Sequence, residues 1–222
     1  MGKWIELTAA DGANLAAYRA DPAGTPRGGL VVVQEIFGVN SHIRSVCDGF
    51  AADGYLAVAP AIFDRYEPGV DLGYTPADIA RGRGLRGRAG ADAALADIAA
   101  ARVVAAGAGN VGVIGYCWGG LLAWLAAARM PGLACAISYY GGGMPDAIGD
   151  APRVPVLAHF GEQDAMIPLA GVQALAAAHP TATVHLYPAG HGFNCDQRGS
   201  YDAAAAASAR ERTLLFLHQH VG

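Results

Sequence analysis

Gly115-Tyr116-Cys117-Trp118-Gly119-Gly120 is the stretch that decides how this 222-residue chain is read. The apolar run Asn110-Val111-Gly112-Val113-Ile114-Gly115 leads into it, and a helix-compatible run from Leu121 to Arg129 leaves it. A strand that becomes a helix over so few residues must turn sharply. Gly115 and Gly119 suit such a turn because they have no Cβ to clash. The residue between them then stands above the sheet, at a helix N-terminus. Here that residue is Cys117. The alternative is that Cys117 is a small buried hydrophobe, as most cysteines outside disulfides are. That alternative leaves the flanking glycines unexplained.

The surrounding chain alternates strand-like and helix-like segments. Trp4–Leu7 and Leu15–Tyr18 flank Ala10-Asp11-Gly12-Ala13, a hairpin signal. Gly29–Gln34 and Leu56–Pro60 are continuous apolar runs, as buried parallel strands are. Asn40 or Ser41 caps a predicted helix running to about Ala52, with Gly54 to end it. Ala61–Gly90 is rich in Pro, Gly, Asp and Arg, and Thr75-Pro76 opens a short helix within it. It reads as an excursion over the sheet edge, where substrate-contacting loops often lie. Ala91–Ala106 is helical. Strands are expected at Cys135–Tyr139, Val156–Phe160 and Thr183–Tyr187, and helices at about Leu169–Ala178 and Tyr201–His218. This pattern predicts one α/β domain over residues 1–222, a mostly parallel sheet with helices on both faces. Strand, Gly-x-nucleophile-x-Gly, then helix is the elbow of the α/β-hydrolase fold, which is the fold class expected.

Bulk properties narrow the function classes. Hydrophobic residues make up 53% of the chain, so it is not a disordered one. A chain of this size buries about 70% of its extended surface and needs no metal or disulfide staple. The net charge of −4 comes without a basic run, which argues against nucleic acid as a partner. Lys3 is the single lysine, so neither P-loop nor Schiff-base chemistry is expected. Cys47, Cys117, Cys135 and Cys195 are widely spaced and form no C-x-x-C, so no zinc or redox motif is suggested. The N-terminus has no signal-peptide core and no run approaches the ~18 apolar residues of a membrane span. A cytoplasmic, non-membrane protein is the expectation, as a monomer or small homo-oligomer, without metal or cofactor. Two literal G-x-G-x-x-G matches, at Gly82–Gly87 and Gly107–Gly112, lack the strand–glycines–helix order of a dinucleotide site.

An elbow nucleophile needs a base, and the base needs an orienting acid, each on a loop after a strand. Asp164 follows Val156–Phe160, and His191 follows Thr183–Tyr187. Glu162 and Asp196 compete as acids, and a turn or cap role is the alternative for Asp164. His159 and His185 fall within strands and read as sheet residues, whereas His191 has small neighbours on a post-strand loop. The loop Gln34-Glu35-Ile36-Phe37-Gly38-Val39-Asn40 follows the first buried strand. In this fold such a loop donates an oxyanion-hole N–H, paired with that of the residue after the nucleophile. That assigns the backbone N–H groups of Ile36 and Trp118. A carboxylate at Glu35 would oppose an oxyanion unless it has a partner or a role, and a salt bridge to an Arg is one explanation.

Gln-Glu-Ile-Phe-Gly-Val-Asn (34–40), Gly-Tyr-Cys-Trp-Gly-Gly (115–120), the Asp164 turn and Gly-His-Gly-Phe (190–193) together resemble the dienelactone hydrolase (carboxymethylenebutenolidase) family. The resemblance spans nearly the whole chain. It implies a Cys–His–Asp triad of Cys117, His191 and Asp164, working on a small lactone or ester through an acyl-enzyme. It also implies that Glu35 hydrogen-bonds the resting thiol and helps trigger its deprotonation. Dienelactone-cleaving members bind a substrate carboxylate with two arginines. Arg81, or Arg83, is the candidate for the first. The second falls four residues after His191, at Cys195, with Arg198 the nearest arginine. Phe37, Arg81, Cys195 and Arg198 are therefore the candidate substrate contacts. The departure at Cys195 leaves a carboxylesterase or thioesterase with a neutral substrate as the second expectation. A non-catalytic sensor of the same fold is the third.

Overall fold

The structure, a computed structural model, describes residues 2–222. They divide into two compact units: one reaches to Val111 and includes Val221, and the other comprises Gly112–His220 and Gly222.

The first unit holds β1 (Lys3–Thr8), β2 (Asn14–Ala20), β3 (Gly29–Val33) and β4 (Leu56–Pro60), in the order β1-β2-β4-β3. β1 and β2 are antiparallel, joined by a turn in which Gly12 adopts φ +85° and Asp11 accepts the Ala13 N–H. β2 is antiparallel to β4, and β3 parallel to β4. Every residue of β3 and β4 is buried, as their continuous apolar sequences require. α1 (Ser41–Ala52) and α3 (Ala91–Ala105) pack on these two strands. Asn40 caps α1 by accepting the Ile43 N–H at 3.2 Å.

The excursion is more ordered than its composition predicts. A 3₁₀ turn covers Ile62–Arg65, and α2 runs over Pro76–Arg88, thirteen residues rather than a short helix. Gly82, Gly84 and Gly87 weaken its intrinsic propensity. A capping box between Thr75 and Asp78, with Pro76 in the first turn, offsets this. Arg65 holds the excursion's start, bonding Asp97 of α3 at 2.7 Å and Asp11 of the first turn at 2.6 Å.

The second unit holds four parallel strands, β5 (Val111–Tyr116, apart from its first residue), β6 (Cys135–Tyr139), β7 (Val156–Gly161) and β8 (Thr183–Tyr187), in that order. α4 (Trp118–Arg129) packs on β6, α6 (Ala203–His220) packs on β6 and β7, and α5 is Leu169–Ala178. Ten of the twelve α4 residues are buried, which explains why its sequence is apolar on every side. Among the described residues of both units, the only antiparallel pairings between named strands involve β2, so the strands are mostly parallel, as the alternating pattern predicts. Among the described residues, no helix is long and apolar enough to cross a membrane.

Candidate active site

β5 ends at Tyr116 and α4 begins at Trp118, so the whole turn is Cys117. It adopts φ 54°, ψ −116°, a left-handed-side backbone that L-residues rarely occupy. The turn survives because its surroundings over-determine it. The Cys117 N–H donates to the Tyr139 carbonyl at 3.0 Å, and its carbonyl accepts from Gly120 at 2.9 Å and Gly142 at 3.2 Å. Gly115 has to be glycine, because a Cβ there would overlap the backbone carbonyl of Gly119. At Gly120 a Cβ would meet Ser138 Oγ at 2.5 Å and Gly141 Cα at 2.7 Å.

The acid and base loops leave the neighbouring strands β7 and β8 side by side. The Glu162 N–H donates to the Tyr187 carbonyl and the Gln163 N–H to that of Ala189. A Cβ on Gly161 would overlap the Ala189 carbonyl, so the close approach of the loops needs that glycine. Asp164 then uses its two oxygens differently. Oδ1 accepts the N–H groups of Met166 at 2.8 Å and Ile167 at 3.2 Å, closing its own turn. Oδ2 accepts from His191 Nδ1 at 2.7 Å. His191 Nε2 lies 3.1 Å from Cys117 Sγ. The turn role and the partner role, alternatives in the sequence, are both filled by one carboxylate. Glu162 is exposed and takes no part in this chain of contacts, and Asp196 is exposed as well.

The chain is shielded from water: Cys117 is 8% exposed, and the Asp164 side chain is fully buried. Burial alone would push the His191 imidazole toward neutrality. Hydrogen bonds to Asp164 and Cys117, with their electrostatic attraction for the charged ring, outweigh it and raise His191 to about 10. Imidazolium is therefore its favoured form at neutral pH.

Two further histidines lie within strands, as expected. His159 is wholly buried in β7, bonded to the Tyr187 hydroxyl at 2.8 Å and Thr213 Oγ1 at 3.1 Å. Burial lowers it to about 3, a neutral core residue. His185 lies in β8 with its ring stacked on that of His159.

In the first unit, Glu35, Ile36 and Phe37 follow β3. The Glu35 side chain is buried and accepts a hydrogen bond from the Tyr74 hydroxyl at 3.4 Å. The Phe37 ring meets Tyr74 edge-on at 4.7 Å, and its carbonyl accepts the Leu72 N–H at 2.9 Å. Gly38, at φ +79°, bridges to Asp71, and Asn40 Nδ2 donates to the Leu72 carbonyl and Tyr74 hydroxyl. A Cβ on Gly82 of α2 would overlap the Ile36 carbonyl, so the helix lies directly on this loop. The segment 70–74 thus straps the loop down, a tie that no local sequence signal announces.

Arg81 is exposed and pairs with Glu67, and Arg83, Arg86 and Arg88 are exposed with it. Cys195 is fully buried. Arg198 is half-buried beside Gly192, where a Cβ would stand 2.6–3.2 Å from its guanidinium. Sequence reasoning missed Tyr140. It is fully buried, adopts φ +39°, and its ring lies 5.2 Å from that of His191. The glycine run Gly141–Gly143 marks a loop there but not the conformation of the tyrosine before it.

The sequence profile of the dienelactone hydrolase family matches residues 15–221. A carboxymethylenebutenolidase of Pseudomonas putida is 36% identical over 226 residues, 96% of this chain and 94% of that one. A provisionally named carboxymethylenebutenolidase of Synechocystis sp. is 39% identical over 219 residues, 89% of each chain. The crystal structure of a provisionally named dienelactone hydrolase from Klebsiella pneumoniae superposes with a TM-score of 0.85 at 32% identity, covering 98% of this chain and 100% of that one.

Proposed function

Because the chain belongs to the dienelactone hydrolase family, we propose that it hydrolyses small lactones or esters with Cys117 as nucleophile, His191 as base and Asp164 as orienting acid. The observation that carries the reading is the continuous contact Asp164 Oδ2–His191 Nδ1–His191 Nε2–Cys117 Sγ, at 2.7 and 3.1 Å, on an elbow at positive φ. The family match spans both units, which favours one hydrolase domain over the whole chain.

The thiolate, not the thiol, is the nucleophile, and an imidazolium hydrogen-bonded to sulfur favours it. Sγ attacks the carbonyl carbon; a C–S bond forms and the carbonyl π electrons move to oxygen. The N–H groups of Ile36 and Trp118 receive that oxyanion, each contributing about 3 kcal/mol to the transition state. Collapse breaks the C–O bond, and His191 Nε2 gives its proton to the leaving alkoxide. Neutral His191 then takes a proton from water, whose oxygen attacks the thioester and expels the thiolate. In a lactone the alcohol stays tethered to the acid product. To Glu35 we assign the part the family implies, helping to trigger deprotonation of the thiol. A cytoplasmic setting, which would keep Cys117 reduced, is part of this reading.

Turnover of a 4-nitrophenyl ester, with a transient acyl adduct on Cys117 seen by mass spectrometry, is the expected result. Cys117→Ala abolishes both. Unchanged turnover in that variant would remove the assignment, and no turnover in the parent would favour a sensor. A neutral substrate is the second reading, favoured by Arg81 lying exposed against Glu67 and by buried Cys195 where the second arginine would fall. Comparing a carboxylated dienelactone with its methyl ester decides it. Preference for the carboxylate would end the neutral reading.

A further inference from the structure

Two consecutive residues at the end of β6 reach two members of the proposed triad. The Tyr139 carbonyl accepts the Cys117 N–H at 3.0 Å. Tyr140, the next residue, turns its ring onto His191, centroids 5.2 Å apart and planes at 62°, the edge-to-face arrangement aromatic rings favour. The same ring meets Phe193 at 5.4 Å and 74°. One side chain thus contacts His191 and the residue two further along the base loop.

The backbone conformation that aims this ring is unfavourable. Tyr140 sits at φ +39°, and Cys117 is the only other described non-glycine residue with positive φ. Three glycines follow immediately, Gly141–Gly143, any of which would adopt that conformation without strain. The Tyr140 N–H is spent on the His159 carbonyl at 2.7 Å, which fixes the peptide, and the side chain is fully buried. An outlier that surrounding structure over-determines, next to a reacting group, points to a positional role. Asp164 fixes His191 through one nitrogen but leaves the ring able to swing about that bond. An aromatic wall on its face or edge removes that freedom.

We propose that Tyr140 is a positioning residue for His191, its ring holding the imidazole in the plane from which Nε2 meets Cys117 Sγ. This rests on the triad reading above. Three variants separate ring, conformation and fold. Tyr140→Phe keeps the ring. Tyr140→Leu removes it but keeps apolar bulk. Tyr140→Asn removes it and tolerates positive φ. For folded variants, kcat and KM on a 4-nitrophenyl ester are measured alongside the low-field proton signal of His191 Nδ1–H in NMR. The Phe variant is expected to stay within about twofold of the parent kcat, with the signal intact. The Leu and Asn variants are expected to lose kcat about tenfold or more while KM changes little, because misplacing a reacting group costs rate rather than binding. Their Nδ1–H signal broadens by exchange as the ring gains freedom. A folded Leu variant with parental kcat and an unbroadened signal would overturn the proposal. So would equal losses in the Phe and Leu variants, which would assign the effect to the hydroxyl. If the parent turns over no ester, the triad reading fails, and the NMR comparison alone still judges whether the ring holds His191.

Discussion

Replacing Asp164 by Asn tests the charge logic of the site with little change in shape. Asn keeps a carbonyl oxygen for the N–H groups of Met166 and Ile167, so the turn that Oδ1 closes survives. Its amide nitrogen then faces His191 Nδ1, where Oδ2 accepted at 2.7 Å. Two donors cannot share that contact, so Nδ1 must give up its proton. The ring becomes neutral with its remaining hydrogen on Nε2, the tautomer that cannot accept from Cys117 or from water. The energy at stake follows from His191 itself, raised from 6.5 to about 10. At 1.36 kcal/mol per pH unit this is about 5 kcal/mol in favour of the imidazolium, shared between Asp164 and Cys117. With the carboxylate gone, burial draws His191 below its ordinary range. A loss of about 10⁴ in kcat is expected, as for the corresponding change in serine-protease triads. Iodoacetamide provides an assay independent of any substrate. Cys47, Cys135 and Cys195 are 0% exposed and Cys117 is 8%, so alkylation of the native protein reads Cys117. Its rate at pH 7 should fall by about tenfold or more in the Asn variant, as the imidazolium that favours thiolate is lost. A variant that hydrolyses ester within tenfold of the parent, or whose His191 still titrates near 10, would refute this reasoning.

Three further outcomes follow from the packing. Gly115→Ala drives a Cβ into the Gly119 carbonyl; it should cost about 2–3 kcal/mol, read as a lower Tm by calorimetry, and move Cys117 enough to cut ester turnover. Arg65→Met strands the Asp97 carboxylate, whose side chain is fully buried; a loss of about 3–5 kcal/mol in urea unfolding is expected, and Asp97→Asn in the same background should recover part of it. His159 is lowered by burial to about 3, below its unfolded 6.5, so the fold has its full advantage above pH 6.5 and loses it as pH falls toward 3. At pH 5 this amounts to about 2 kcal/mol, and His159→Gln should flatten that limb of the stability profile, whereas an unchanged limb would place the acid sensitivity elsewhere.

Much of the fold is written in local chemistry. Asn40 announces α1 because an N-cap acts within three residues, and the β4, β6, α5 and β8 runs are bounded by turn residues that end them where the structure does. The elbow is legible because the steric demand falls on glycines adjacent in sequence. What depends on contacts between distant segments is not legible. α2 looks broken by its glycines, yet Gly82 is where the helix rests on Ile36, so the residue that weakens the helix also seats it. Asp164 as turn residue and Asp164 as His191 partner look like rivals until each oxygen has a separate bond. Tyr140 is invisible because its conformation is imposed by the His159 carbonyl and the base loop, not by its neighbours in the chain.

The seat of α2 on the Ile36 carbonyl bears on how this protein could acquire new substrates. A helix that met the loop only through side chains could be lengthened, shifted or replaced while the loop stayed put. Here the Gly82 backbone lies directly against the Ile36 carbonyl, with Ile36 Cγ1 beside it. Translating α2 would drag the Ile36 peptide with it, and with it the proposed oxyanion donor. Substitutions along the exposed face of α2 leave that seat intact, whereas changes that displace the helix do not. Engineering that inserts residues between Thr75 and Gly82 should cost turnover on every substrate alike, whatever its shape.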